Sequence, residues 1–145
     1  MTYKQMEEAD IRRVIPLYVA YYNGKEGCAW TVEKAYKWIH QVWSMEDAYC
    51  LLAQEEGEAV GFAMGYFHQY DDLVAYDLME IVINAEHRGK GLGTQLLQEL
   101  EKRVQAMGAS VVQLQAVNDE MHHHFYGKLG YGNAGNLISK VKWLA

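Results

Sequence analysis

Seven residues constrain this chain more than any others: Arg88-Gly89-Lys90-Gly91-Leu92-Gly93-Thr94. They stand between a strand-like run, Met79-Glu80-Ile81-Val82-Ile83, and a strongly periodic stretch from Thr94 to Met107. Three alternating glycines cost backbone entropy and so need a compensating use. At a helix N-terminus the first N–H groups have no intrahelical partner, and the helix dipole adds positive potential. Glycines keep that end uncrowded by Cβ atoms. The segment therefore predicts a phosphate cradle at a strand-to-helix junction. It is not a Walker loop, which needs Gly-Lys-Ser/Thr after a four-residue gap. Its GxGxG spacing also departs from the GxGxxG of dinucleotide folds.

The chain of 145 residues is half hydrophobic, which suits one globular domain over 1–145 with its own core. A net charge of -6 argues against nucleic acid, whose phosphates call for Lys and Arg. It is compatible with a cationic substrate, and equally with a surface charged for solubility. The two cysteines, Cys28 and Cys50, form no CxxC, so reduced thiols are expected. Met1 to Gln5 lack the apolar core of a signal peptide, and no apolar run reaches the ~20 residues that span a bilayer. These features predict a soluble, cytoplasmic protein that does not engage membranes.

Periodicity orders the elements. Residues 1–6 can form an edge strand. Asp10 can cap a helix with Ile11, Val14, Ile15 and Tyr18 on one stripe, which Pro16 should kink or delay. Asn23-Gly24 ends it. Thr31 caps a second helix with Val32, Ala35, Ile39 and Val42 in phase. Strands are expected at 48–54, 59–67 and 74–83. The clearest helix runs from Thr94 to Met107, stopped by Gly108. A strand over 111–117, a short helix over 120–129 and an alternating segment over 137–144, read as a closing strand, complete the chain. The order β-α-α-β-β-β-α-β-α-β predicts an α/β (α+β) fold with a mixed, mostly antiparallel sheet flanked by about four helices.

A second motif follows the glycine loop: Asn118, then Phe125-Tyr126-Gly127-Lys128-Leu129-Gly130-Tyr131. Together, Arg88-x-x-Gly91-x-Gly93 after a strand, then a strand, an Asn and Tyr-x-x-x-Gly-Tyr resemble the GNAT N-acetyltransferase superfamily. The resemblance follows the order of elements along the whole chain and is most specific over 80–131. It implies acetyl-CoA as donor and a primary amine as acceptor. It further implies that residues 88–94, with Gly89, Lys90, Leu92 and Thr94 among them, hold the CoA pyrophosphate. The backbone of Ile81, Val82 and Ile83 would pair with pantetheine, and one N–H there would stabilise the oxyanion. Asn118 would bond the pantetheine arm, or cap the helix that follows. Tyr126 stands where the family often carries the acid that protonates the CoA thiolate; a phenol with a pKa of about 10 suits that task.

Glu80 is the candidate base. An ammonium must lose a proton before it attacks, and a carboxylate inside an apolar run is costly unless it has a purpose or a partner. Asp77 lies three residues upstream, and Asp71 and Asp72 are either turn residues or part of an acceptor cleft. His122-His123-His124 offer a metal reading, weakened because successive helical side chains diverge, or help in proton transfer. Tyr21, Tyr22, Trp30, Tyr66, Phe67 and Tyr70 can wall an acceptor pocket or simply pack. The expectation is direct acetyl transfer to a small cationic amine. A protein N-terminus or lysine is the alternative acceptor, and a non-catalytic acyl-CoA-binding module is the alternative class. No metal is expected. Family members are often dimers, so a homodimer is open.

Overall fold

A computed structural model describes residues 1–145. The chain divides into two compact units, 1–115 and 116–145. In the first, β1 (Thr2–Gln5), α1 (Ile11–Lys25), α2 (Val32–Trp43), β2 (Ala48–Glu55), β3 (Glu58–Gln69), β4 (Val74–Ile83), α3 (Leu92–Ala106) and β5 (Val111–Leu114) follow in order, with single 3-10 turns at Glu8–Asp10 and Ala85–His87. The second holds α4 (Glu120–Gly127).

The five strands lie in chain order, β1-β2-β3-β4-β5. Three antiparallel pairings join β1 to β4, and β5 is parallel to β4. Only the parallel pair needs a long crossover, and α3 supplies it. This is the mixed, mostly antiparallel sheet that the element order predicts, with α1, α2 and α3 of the same unit flanking it.

One sheet face is covered by α1 and α2. Ile11, Val14, Ile15 and Tyr18 from α1 and Ala35, Ile39 and Val42 from α2 pack on Cys50, Leu52, Phe62, Met64 and Val82, all buried. The alternate residues serve the other face, where Leu96, Leu97, Leu100 and Val104 of α3 are buried. There Arg103 donates to the Tyr49 hydroxyl at 3.4 Å, and the buried Tyr76 hydroxyl donates to the Tyr49 carbonyl at 2.6 Å.

Local chemistry departs from expectation in a few places. α1 runs unbroken through Pro16. The proline is exposed, so the carbonyl its missing N–H leaves unpaired, that of Arg12, faces solvent. Asp10 does not cap α1 with its side chain. Its carboxylate accepts instead from the Glu7 N–H at 2.9 Å and from Arg13 at 3.0 Å, and pairs with Lys4 at 3.1 Å. Thr31 does cap α2, accepting from the Lys34 N–H at 3.1 Å. α3 begins two residues before Thr94, at Leu92.

The closing strand expected over 137–144 is not formed. Those residues join no strand ladder, and Leu137, Ile138, Val141, Trp143 and Leu144 are exposed. Alternation supplies a strand with a face, but its N–H and C=O rows also need a neighbouring ladder. The strand expected over 111–117 likewise stops at Leu114.

Candidate active site

β4 carries the site. Its β3 edge is paired as far as Ile83, but its β5 edge is paired only over Ala75 to Leu78, opposite Val111 to Leu114. From Met79 to Ile83 that edge has no strand partner. A row of backbone donors and acceptors is thereby left for an extended ligand to pair with. Ile81, Val82 and Ile83 stand on this stretch; the Val82 side chain is buried in the core, those of Ile81 and Ile83 are partly buried, and the backbone of all three lies on the unpaired edge.

Glu80 lies at the start of the same stretch. Its side chain points under α1 and α2 and accepts three hydrogen bonds. Tyr18 Oη donates at 3.1 Å, Trp38 Nε1 donates at 3.1 Å, and Tyr22 Oη donates in a short contact. Tyr18 and Tyr22 are one turn apart on α1, which brings both hydroxyls to one carboxylate. Their rings touch each other, with Trp30 edge-on to Tyr18. Burial raises the Glu80 pKa above the ordinary glutamate value, and the bonds from Tyr22, Trp38 and Tyr18 pull it back down. The result is a shielded carboxylate that holds a proton more tightly than a surface one. Replacing Tyr22 by Phe removes a donor to the charged form and leaves the burial. The Glu80 titration, followed by carboxyl 13C NMR, is therefore expected to start above the ordinary glutamate midpoint and to move higher still in Tyr22→Phe.

A β-bulge sets which way Glu80 faces. Met64 opposes Glu80, but Gly65 opposes Leu78, leaving Met79 as the extra residue on β4. In a regular strand residues three apart point to opposite faces. The bulge rephases them, so Asp77, opposite Tyr66, lies on the same face as Glu80. Gly65 is required at this point, because a Cβ there would sit 2.0 Å from the Asp77 carbonyl oxygen and 2.8 Å from the Tyr76 ring.

The glycine loop follows β4 through the turn at 85–87. Gly89 and Gly91 take φ of +78° and +77°, values that side-chain-bearing residues rarely adopt. The first helical bond of α3 is from the Gln95 N–H to the Gly91 carbonyl at 3.0 Å. The N–H groups of Leu92, Gly93 and Thr94 are thus left at the helix mouth. The Arg88 guanidinium lies 4.6 Å over the Tyr21 ring, and its Nη2 is buried without a hydrogen-bond partner. An orphaned cationic donor beside a helix N-terminus fits an anionic diphosphate. Lys90 is exposed and adds charge alone.

Asn118 and Tyr126 belong to the second unit. There Asp119, not Asn118, caps α4, accepting from the His122 N–H at 2.8 Å. Asn118 Oδ1 is 2.6 Å from His123 Nε2, and the His122 ring pairs with Asp119 at 2.7 Å. The Tyr126 ring packs on Phe125 and Tyr131, with centroids at 5.0 and 5.7 Å.

Two residues in this geometry were not singled out from the sequence as site candidates: Tyr18 and Trp38. Tyr18 had a legible signal, its spacing of four from Tyr22, but the same spacing marks the buried stripe. Of the expected pocket aromatics, Tyr22 reaches Glu80, whereas Phe67 faces the other side and packs on Tyr76 and Tyr49. Asp71 and Asp72 are exposed in the β3–β4 turn.

The model of the acetyltransferase (GNAT) family matches residues 11–131. The chain belongs to this family of acyltransferases, whose members use acetyl-CoA as co-substrate. L-2,4-diaminobutyric acid acetyltransferase from Virgibacillus pantothenticus is 38% identical over 53 residues, 37% of this chain. The match spans only 33% of that relative's length. Ribosomal-protein-alanine N-acetyltransferase from Brucella melitensis biovar Abortus 2308 shares the fold at a TM-score of 0.77 and 18% identity, over 99% of this chain and 100% of its own. An aminoglycoside antibiotic 6'-N-acetyltransferase from Acinetobacter haemolyticus does so at 0.75 and 18%, over 100% of both chains. No helix is long and apolar enough to cross a membrane.

Proposed function

We propose that this chain transfers the acetyl group of acetyl-CoA directly to the primary amine of a small cationic molecule. The observation that carries the reading is Glu80: a shielded carboxylate with raised proton affinity, at the start of the stretch of β4 that β5 leaves unpaired. Glu80 takes the ammonium proton, directly or through water, and the freed amine attacks the thioester carbonyl. Backbone N–H groups among residues 81–83 receive the developing oxyanion. The N–H groups at 92–94, the turn of residues 88–91 and the Arg88 guanidinium hold the pyrophosphate. The family resemblance of their motif assigns Tyr126 the proton for the departing thiolate and Asn118 a bond to the pantetheine arm. Neither cysteine is needed as a nucleophile: Cys50 is buried with its thiol pKa pushed up to about 11.

The diaminobutyric acid relative, by name, acetylates a small amine, which supports this choice; the two solved structures, one named for a ribosomal protein and one for an aminoglycoside, share the fold and do not separate the acceptors. The family match runs through both units, which supports one catalytic domain over 1–145. Both cysteines are free, in keeping with a reducing, cytoplasmic setting.

Thiol release from acetyl-CoA across a panel of amines tests the reading. Amine-dependent release is expected, and Tyr126→Phe should lower it by about 10²-fold or more. A non-catalytic CoA-binding module predicts no release with any amine. It would still show the thermal stabilisation that a ligand at 100 times Kd brings, about 2.7 kcal/mol.

A further inference from the structure

The bulge at Met79 brings a second carboxylate onto the acceptor face, and the amine reaction as proposed leaves it without a task. Asp77 Oδ2 is 2.9 Å from His68 Nδ1. Because the carboxylate only accepts, that nitrogen carries a hydrogen, and in the neutral imidazole Nε2 is then the acceptor. His68 is reachable, with 36% of its side chain exposed against 17% for Asp77. Its ring is stacked between Tyr66 and Tyr70, at centroid distances of 5.8 and 4.1 Å and interplanar angles of 19° and 11°. Tyr70 is itself held by Gln113, which donates to its hydroxyl at 2.7 Å. The imidazole is therefore fixed in orientation from three sides. Asp77 Oδ1 is buried and takes no hydrogen bond of good geometry, although the carboxylate raises the pKa of the nearby Tyr66 hydroxyl.

The charge around this pair is one-sided. Between Trp38 and His87 the chain has ten Asp and Glu residues and no Lys or Arg. β2, β3 and β4 thus offer Asp77 no protein cation other than His68 itself. With a neutral imidazole the pair carries a net negative charge, partly exposed at His68 and flanked by aromatic rings. That is a site for an alkylammonium group. Tyr66 and Met64, opposite Asp77 and Glu80, are two residues apart on β3, which separates the two acidic positions by about 7 Å along the sheet. A short aliphatic chain with an amine at each end spans that distance.

We propose that the His68–Asp77 pair is a second ammonium subsite, and that the preferred acceptor is an aliphatic diamine or diamino acid. One amine reacts at Glu80 while the other, still charged, rests against His68 Nε2 with the Asp77 carboxylate behind it. This rests on the acetyltransferase reading and narrows its substrate class.

The test compares putrescine with n-butylamine, which has the same carbon chain and one amine fewer, by initial rates of thiol release. In the natural protein kcat/KM is expected to favour putrescine by about tenfold or more, equivalent to about 1.4 kcal/mol, beyond the statistical doubling from its two amines. Most of the difference should lie in KM. His68→Phe keeps the stack but removes Nε2, and Asp77→Asn removes the charge. In each the preference should collapse toward the statistical value. The ratio is its own control for folding, since a damaged protein loses both activities together. Equal use of the two amines by the natural protein overturns the proposal, as does a preference that survives both substitutions. Absence of release with either amine, or with any of the panel, overturns the acetyltransferase reading and this subsite with it.

Discussion

Replacing Glu80 by Gln is expected to lower kcat/KM by about 10²–10⁴-fold and to leave acetyl-CoA binding intact. The substitution keeps the shape of the side chain and one oxygen for Tyr18 and Trp38, turns an NH2 toward Tyr22, whose hydroxyl can accept from it, and removes the proton acceptor. Acetyl-CoA would still meet the open edge of β4 and the mouth of α3. The ligand-induced rise in melting temperature should therefore match that of the natural protein. The pH profile carries the sign. Burial, opposed by its three hydrogen bonds, raises the Glu80 pKa, so the base is unavailable at low pH. The rate should climb as pH passes through that raised value, and in Glu80→Gln this limb should vanish. Stability runs the other way. Between the ordinary glutamate value and the raised one, the folded protein binds more protons than the unfolded chain. Unfolding free energy therefore falls as pH rises through that window, and the Gln variant should lack that slope. Unchanged steady-state rates in Glu80→Gln would end the general-base assignment.

Gly65→Ala is expected to be the most damaging small substitution in the sheet. The added methyl would lie 2.0 Å from the Asp77 carbonyl oxygen and 2.8 Å from the Tyr76 ring. Neither can give way readily, because one is backbone of the adjoining strand and the other is a fully buried ring. Overpacking of this kind costs about 3 kcal/mol or more, which for a chain of this length lowers Tm by about 10 °C. Because the clash is at the bulge, relief would come from a change of register. The same variant should then misplace Glu80 and lose activity even below its melting transition. Calorimetry with residual turnover at low temperature measures both effects. A variant that melts and turns over like the natural protein would show that the bulge does not depend on this glycine.

Much of the fold was legible in the sequence. Val74 to Ile83 was read with its observed bounds, and α1, α2 and α3 were recognisable from apolar stripes at helical spacing. The glycine loop stood out because three glycines at a strand-to-helix junction have few uses. Glu80 stood out because a charge inside an apolar run needs a partner. The segment over 137–144 misled because an alternating pattern records a preference for one covered face and says nothing of a neighbouring strand. Asn118 and Asp119 are both good capping residues, and adjacent candidates cannot be ranked until the helix start is known.

The partners of Glu80 were hidden for a different reason. Tyr18, Tyr22 and Trp38 are 62, 58 and 42 residues from it along the chain, and nothing local distinguishes them from core aromatics. The relation of Asp77 to Glu80 was hidden more deeply. At a spacing of three in a strand they should face opposite ways, and a bulge is a property of two paired strands rather than of either alone. The sequence by itself determined the glycine turn and helix start on which the proposed donor site rests, because they are built from consecutive backbone groups whose geometry short-range chemistry dictates. Only the tertiary structure decided the surroundings of the proposed acceptor site. There the environment of each carboxylate is assembled from helices and strands distant in the chain, and one extra residue in β4 selects the face on which they meet.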